Sequence, residues 1–381
     1  MDNAIAPRMR VLMLSTSYPR DLTDWRGLFI RHLADALARA PSVVLSIWNP
    51  PGEFSPGATA IMLPDEIDWL GRLMAAGGVA HLMRRGGPRG ALAPLKLLRL
   101  LSAVYRRHRD VDVYHINWLQ CALPLPGNGK PALITVLGND MKLLRVPMMK
   151  SLLRRIMRRR RVAICPNADW MEGPLRAAFG DVAQIRPVMF GIDPVWYAID
   201  RAPSTAPRRW LAVTRLTLDK LGPLFAWSEP LFRGQDRELH LFGPMQETIA
   251  VPDWVHYHGA ATPAQLATDW FPHAQGLITL SRHAEGRPQV MLEAMASGLP
   301  IIASDMPAHA SMVVDGVTGA LCTQRDGYAS AIAALEVPQT NRGCGDAARA
   351  WAKREVGTWD DCAQRYTSIY RELLAASDRR G

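Results

Sequence analysis

Short apolar runs alternate with helix-spaced stretches along the whole chain, and this alternation constrains the fold more than any other feature. Residues 10–15 (RVLMLS) read as a buried strand, 27–40 (GLFIRHLADALARA) as an amphipathic helix, and 43–48 (VVLSIW) as a strand again. Residues 111–116, 132–137 and 163–166 are further apolar runs of strand length. Runs this short, bounded by turn residues and separated by helical periodicity, predict a parallel sheet with crossover helices.

The pattern breaks at residues 194–209, where Pro203 and Pro207 flank polar residues without periodicity, so this stretch is expected to be a linker. The alternation then restarts at 210–214, 239–242, 255–258, 276–280 and 301–304. A length of 381 residues suits two domains, each with its own core. The expected division is 1–193, the linker, 210–357, and a last helix over 358–381. That helix carries Trp359, Tyr366, Ile369, Tyr370 and Leu373 on or near one face. Two such Rossmann-like α/β halves would face a cleft, with ligands beyond the carboxyl ends of the strands.

Composition narrows the class. No window reaches the ~18 apolar residues of a membrane span, and the apolar run near the N-terminus, residues 11–14, is too short for a signal peptide. The chain is therefore expected to stay in the cytoplasm. Five scattered cysteines, with no CxxC, predict neither a disulfide framework nor a zinc site. The net charge of +10 is lopsided: residues 1–200 hold 27 Lys+Arg against 16 Asp+Glu, whereas 201–381 hold 18 against 19. A basic first half attracts phosphates or anionic lipid headgroups. No nucleic-acid motif accompanies the charge, so nucleic acid is not an expected partner.

The chemistry concentrates in residues 276–304 (GLITLSRHAEGRPQVMLEAMASGLPIIAS). A strand leads into a polar loop, Pro288 is placed as the first helical residue, 289–297 is the helix, and Gly298 and Pro300 end it. Glu285 on the loop and Glu293 in the helix bracket a helix N-terminus, whose free N–H groups and positive dipole end suit phosphate. Carboxylates beside it can accept hydrogen bonds from sugar or ribose hydroxyls, and Arg287 adds a cation. The site is thus expected to hold a phosphorylated, hydroxyl-rich ligand.

This segment resembles the signature of family 4 glycosyltransferases (glycosyl transferases group 1) and their GT-B relatives. Residues 211–220 (LAVTRLTLDK) resemble the same family's basic pair, so Arg215 and Lys220 are implied to hold the donor diphosphate, although the family's glycine after that lysine appears here one later, as Gly222. Gly243, in LHLFGP, resembles the turn bordering the nucleotide base. Residues 315–319 (DGVTG) match another family turn, with Ser311 where relatives carry a glutamate. In the first half, Gly27 matches a loop approaching the donor phosphate, DVYHINW resembles a strand ending in histidine and tryptophan, and VLGND replaces His-Gly-x-Asp, with Leu137 at the histidine position.

The resemblance implies a GT-B fold: an N-terminal acceptor domain, a C-terminal nucleotide-sugar domain, and a last helix crossing back to the first. It implies a metal-independent hexosyltransferase using a UDP- or GDP-sugar, with no other cofactor, acting with retention on a lipid-linked or polysaccharide acceptor in cell-surface glycan synthesis. Catalytic roles are implied for Glu285, Asp140, Arg215 and Lys220. Donor contacts are implied for Gly27, Arg215, Lys220, Gly243, Glu285, Gly286, Arg287, Pro288, Gln289 and Glu293, and acceptor contacts for His115, Asn117, Trp118 and Asp140. Three alternatives stay open: an inverting enzyme with Asp140 or His115 as general base, a GT-B-shaped sugar-nucleotide epimerase or hydrolase, and a catalytically silent binding protein. Residues 141–168 hold nine basic and no acidic residues, interleaved with Met148, Met149, Leu152, Leu153, Ile156 and Met157, as in a helix lying on the anionic inner leaflet.

Overall fold

A computed structural model describes residues 8–54, 56–79, 87–283 and 286–375, with side chains from 92 onward in the helix that opens at Gly87. The chain divides into two compact units. One comprises the residues up to Phe190 together with those from Trp359 onward; the other is Gly191–Thr358.

Among the described residues, the first unit has one parallel sheet of seven strands: β1 (Met9–Leu14), β2 (Val43–Trp48), β3 (Ala58–Ala60), β4 (Val113–Asn117), β5 (Ala132–Val136), β6 (Val162–Pro166) and β7 (Gln184–Ile185). Their order is β3-β2-β1-β4-β5-β6-β7. The second unit repeats the pattern with β8 (Arg208–Val213), β9 (Arg237–Phe242), β10 (Val255–Tyr257), β11 (Gly276–Thr279), β12 (Ile301–Ser304) and β13 (Gly319–Cys322), ordered β10-β9-β8-β11-β12-β13. In each sheet the order reverses beside the first strand, between β1 and β4 and between β8 and β11. Such reversal points are where open α/β sheets bind ligands. β4, β5 and β6 are buried at every residue, which is why they read as unbroken apolar runs.

The last helix, Trp359–Ala375, belongs to the first unit. It buries Trp359, Cys362, Ala363, Tyr366, Ile369, Tyr370 and Leu373 against the Leu28–Arg39 helix and one face of the first sheet. The spacing of three and four is that of a single helical stripe. Phe190 and His32 pack on Trp359, and Arg39 pairs with Asp360 at 2.6 Å.

Residues 194–209, expected as a linker, are instead built into the second unit. Asp193 caps the Pro194–Tyr197 helix through Val195 N–H, Trp196 is buried on Phe271, and β8 already begins at Arg208. The prolines interrupt periodicity without freeing the chain.

The basic stretch 141–168 is sorted by the fold. Leu153 and Met157 of the Met149–Met157 helix are buried. Arg160 donates to the carbonyls of Lys130 and Pro126, Arg161 to that of Leu373, and Arg154 to Asp181. Lys142, Arg145, Lys150, Arg155, Arg158 and Arg159 remain exposed, beside Met148 (74% exposed), Val146 and Leu152 (45%). Among the described residues, no helix is long and apolar enough to cross a membrane.

Candidate active site

The second unit's reversal point is shaped by glycines. β9 ends at Gly243, whose φ is +138°, and a Cβ there would collide with the carbonyl of Thr214. That close approach lets Leu216 N–H reach Pro244 O at 3.0 Å, so the loops after β8 and β9 run side by side. Arg215 lies on the first of them and donates to Gln246 Oε1 at 3.3 Å. Thr217 then caps a single turn, Leu218–Leu221, which carries half-buried Lys220. Gly222 closes the turn at φ +54°, and a Cβ would strike Leu280 O. The glycine one place late is therefore the helix stop that seats this turn against the end of β11.

After β11 the loop leads to the Gln289–Ala296 helix. Glu285 lies outside the described residues. Pro288 sits at the N-cap position with ψ 119°, not inside the first turn as expected from sequence, because the chain is still extended there. Among the described residues no side chain caps this helix, and no acidic residue occupies its first turn, so its N–H groups and positive end suit an anion. At the other end, Gly298 (φ +69°) stops it, and Leu299 N–H returns to Ala294 O at 2.8 Å.

Two expected donor contacts have other duties. Arg287 is buried, with Nη2 3.4 Å from Ser311 Oγ. The Gln289 side chain donates to Gly191 O at 2.9 Å and ties the helix start to the chain's entry into this unit.

Glu293, one helical turn further, is half-buried. Desolvation, and then the negative charge of Asp193, push its carboxyl up to about 8. Near neutrality it is thus largely protonated, and a partner that donates hydrogen bonds to it would favour the ionised form. Sequence inspection passed over Asp193 as the end of a domain; only the fold brings it to Glu293. Sequence inspection also missed two arginines that hold the helix end. Arg349 donates from Nε to Ala296 O (3.0 Å) and from Nη2 to Ser297 O (2.7 Å) and Ile199 O (2.6 Å). Arg201 donates to Gly298 O, Ala274 O and Asn341 Oδ1. Cations at a helix C-terminus satisfy its free carbonyls and oppose its dipole.

In the first unit, Gly27 has φ +74°, and a Cβ would meet Ser17 Oγ at 2.6 Å. It opens the Leu28–Arg39 helix, which also lacks a side-chain cap and first-turn acid. Asn117 and Trp118 stand at the carboxyl end of β4, and Trp118 holds a left-handed φ of 72°. His115 does not join them. It is fully buried, with Nδ1 2.5 Å from Tyr370 Oη and Nε2 2.9 Å from Thr135 Oγ1, and desolvation lowers its pKa to about 3. The expected acceptor contact is instead a core residue joining β4 to the last helix. Asp140, expected to face a ligand, is also buried. Its Oδ1 accepts from Leu119 N–H (3.0 Å) and Oδ2 from Leu137 N–H (2.8 Å), while burial raises its pKa to about 7. It clips the loops after β4 and β5 together. The Asp110-Val-Asp112 pair is occupied as well, since Arg10 binds both carboxylates at the amino end of β4.

Residues 213–337 match the family described as glycosyl transferases group 1. That match lies wholly within the second unit. A D-inositol 3-phosphate glycosyltransferase of Streptomyces griseus subsp. griseus is 30% identical over 135 residues, 35% of this chain and 28% of the relative. That of Geodermatophilus obscurus is 33% identical over 108 residues, 28% of this chain and 24% of the relative. The matches thus span about a quarter of these relatives' length.

Whole-chain likeness appears among solved structures. Sucrose-phosphate synthase from Thermosynechococcus elongatus superposes with a TM-score of 0.72 at 18% identity, covering 97% of this chain and 100% of that one. Anabaena HepE in complex with UDP and glucose gives 0.65 at 15% identity, covering 96% and 100%. At such identities the likeness is one of fold, and that fold is GT-B, as the resemblance implied.

Proposed function

We propose that this protein is a retaining glycosyltransferase that moves a hexose from a nucleotide diphosphate sugar to a lipid-linked or polysaccharide acceptor. The observation that carries the reading is the uncapped Gln289–Ala296 helix start, with Glu293 one turn along it and Arg215 and Lys220 on the neighbouring loops of the second unit. In this reading Arg215, Lys220 and the helix N–H groups neutralise the departing diphosphate, which makes a metal unnecessary. Glu293 accepts from the ribose hydroxyls and Glu285 from those of the sugar. The acceptor hydroxyl attacks the anomeric carbon on the face the leaving group departs from, the bond to the diphosphate oxygen breaks, and the leaving phosphate takes the acceptor's proton.

An inverting enzyme needs a general base in the first unit. Neither side chain considered for that role supports it: Asp140 spends both oxygens on backbone amides, and His115 is sealed in the core. HepE was solved with UDP and glucose, which favours a UDP-sugar as the first donor to try. The exposed cations and apolar side chains from Lys142 to Arg159 support attachment to an anionic inner leaflet, where a lipid-linked acceptor resides. Screening UDP- and GDP-sugars for thermal protection, followed by NMR of the product's anomeric configuration, tests the proposal. Protection by none of them, or an inverted product, overturns it.

A further inference from the structure

The loops after β8 and β9 are joined by more than the close approach at Gly243. Leu216 O accepts from both Gln246 N–H and Glu247 N–H at 3.1 Å, and Leu216 pairs with Met245 as a parallel bridge. Together with Leu216 N–H on Pro244 O, these bonds prolong the pairing of β8 and β9 past the ends of both strands. Residues 246 and 247 are thereby fixed beside Leu216, with Arg215 before it and the Leu218–Leu221 turn after it.

Side chains then cross from the second loop to the first. Gln246 Oε1 accepts from Arg215 Nη1 at 3.3 Å. A guanidinium has only donors, so the amide presents its oxygen, and being neutral it orients the cation without cancelling the charge. Glu247 Oε2 accepts from Leu218 N–H, the first of the turn, at 2.8 Å, while Thr217 Oγ1 accepts from Lys220 N–H at 3.3 Å. These bonds meet N–H groups that a helix start otherwise leaves open. The turn is only four residues long, so its shape, and with it the aim of Lys220, depends on such caps.

From this geometry we infer that Gln246 and Glu247 are positioning residues for the donor diphosphate: Gln246 sets the Arg215 guanidinium, and Glu247 sets the turn that carries Lys220. The inference rests on the nucleotide-sugar reading above. Neither side chain needs to touch the ligand. Their difference in charge fits the arrangement. A carboxylate at 246 would pair with Arg215 and compete with the phosphates, whereas at 247 it is spent on a backbone amide. Both residues are exposed, so replacing either leaves no buried group unmet and the fold intact.

The test is calorimetry of UDP and GDP with the intact protein, with binding of the matching nucleoside followed by ligand-observed NMR. Gln246→Ala and Glu247→Ala should each weaken binding of the preferred diphosphate about fivefold, the scale of one hydrogen bond, and leave the nucleoside within about twofold of wild type. Glu247→Gln keeps an acceptor for Leu218 N–H and should restore most of the loss. Gln246→Glu should bind worse than Gln246→Ala, about tenfold or more below wild type, because it neutralises the guanidinium. A merely structural role would lower nucleoside and diphosphate affinity together, and that result overturns the inference. So does Gln246→Glu binding the diphosphate as well as wild type does. Arg215→Ala separates the two readings. If it weakens diphosphate binding while the Gln246 and Glu247 variants do not, the positioning role alone falls. If it has no effect, or wild type binds neither diphosphate, the donor reading falls and the positioning role with it.

Discussion

His115 Nδ1 and the hydroxyl of Tyr370 are 2.5 Å apart, which fastens the middle of β4 to the last helix from inside the core. Tyr370→Phe removes that partner and leaves a buried ring nitrogen unmet. A loss of about 1–3 kcal/mol in stability is expected, read as a lower midpoint in urea, with UDP affinity unchanged.

The same imidazole sets an acid limit. Its pKa is about 3 in the folded protein and about 6.5 when unfolded. The unfolded chain therefore binds the extra proton between those values. Stability from this group is complete above pH 6.5 and is lost progressively as pH falls toward 3, by up to about 1.4 kcal/mol per pH unit. Denaturation curves from pH 7 to pH 4 should show this slope, and His115→Asn should flatten it. An equal slope in both proteins would contradict the assignment.

Glu293 predicts a pH dependence of ligand binding, at higher pH. Its carboxyl titrates near 8 in the unliganded protein. If ribose hydroxyls donate to the ionised form, UDP should bind more tightly as pH rises from 7 to 9. Glu293→Gln should abolish that dependence, and Glu293→Ala should raise the donor KM by about tenfold or more, the scale of a charge-assisted hydrogen bond. A Kd for UDP that is flat with pH in the wild type rejects the role.

Arg349 holds the carbonyls of Ala296 and Ser297 at the far end of the same helix and that of Ile199 beside it. Arg349→Ala leaves them unmet and is expected to cost about 2–3 kcal/mol in stability. Because the helix end moves with it, UDP binding should weaken as well, whereas a purely structural role would change the melting temperature alone.

Liposome flotation tests the basic surface. Vesicles with anionic lipid should carry the protein up, and neutral vesicles should not. Lys150→Glu with Arg155→Glu should abolish flotation, as should about 0.5 M salt, which shortens the screening length. Flotation that ignores lipid charge would discard this surface as the contact.

The architecture was legible because burial on both faces makes parallel strands into apolar runs, and β2 and β12 occupy the residues the periodicity indicates. The edge strands β3 and β7 were not, since two or three residues at a rim carry no pattern. In the second unit, Gly243 and Gly298 announce themselves because both hold positive φ, and at Gly243 a Cβ would strike the Thr214 carbonyl. His115 and Asp140 were misjudged for one shared reason. A polar side chain in a motif looks the same on paper whether it meets a ligand or a buried carbonyl, amide or hydroxyl.

The first unit is closed by residues that follow the whole of the second in sequence. On the ribosome, its apolar sheet face must therefore wait, uncovered by the last helix, until about 170 intervening residues and that helix itself have been made. The second unit, continuous from Gly191 to Thr358, has no such wait. Premature termination just before Trp359 would accordingly leave the second unit whole and the first unit sticky, a product prone to aggregate through the half that was translated first.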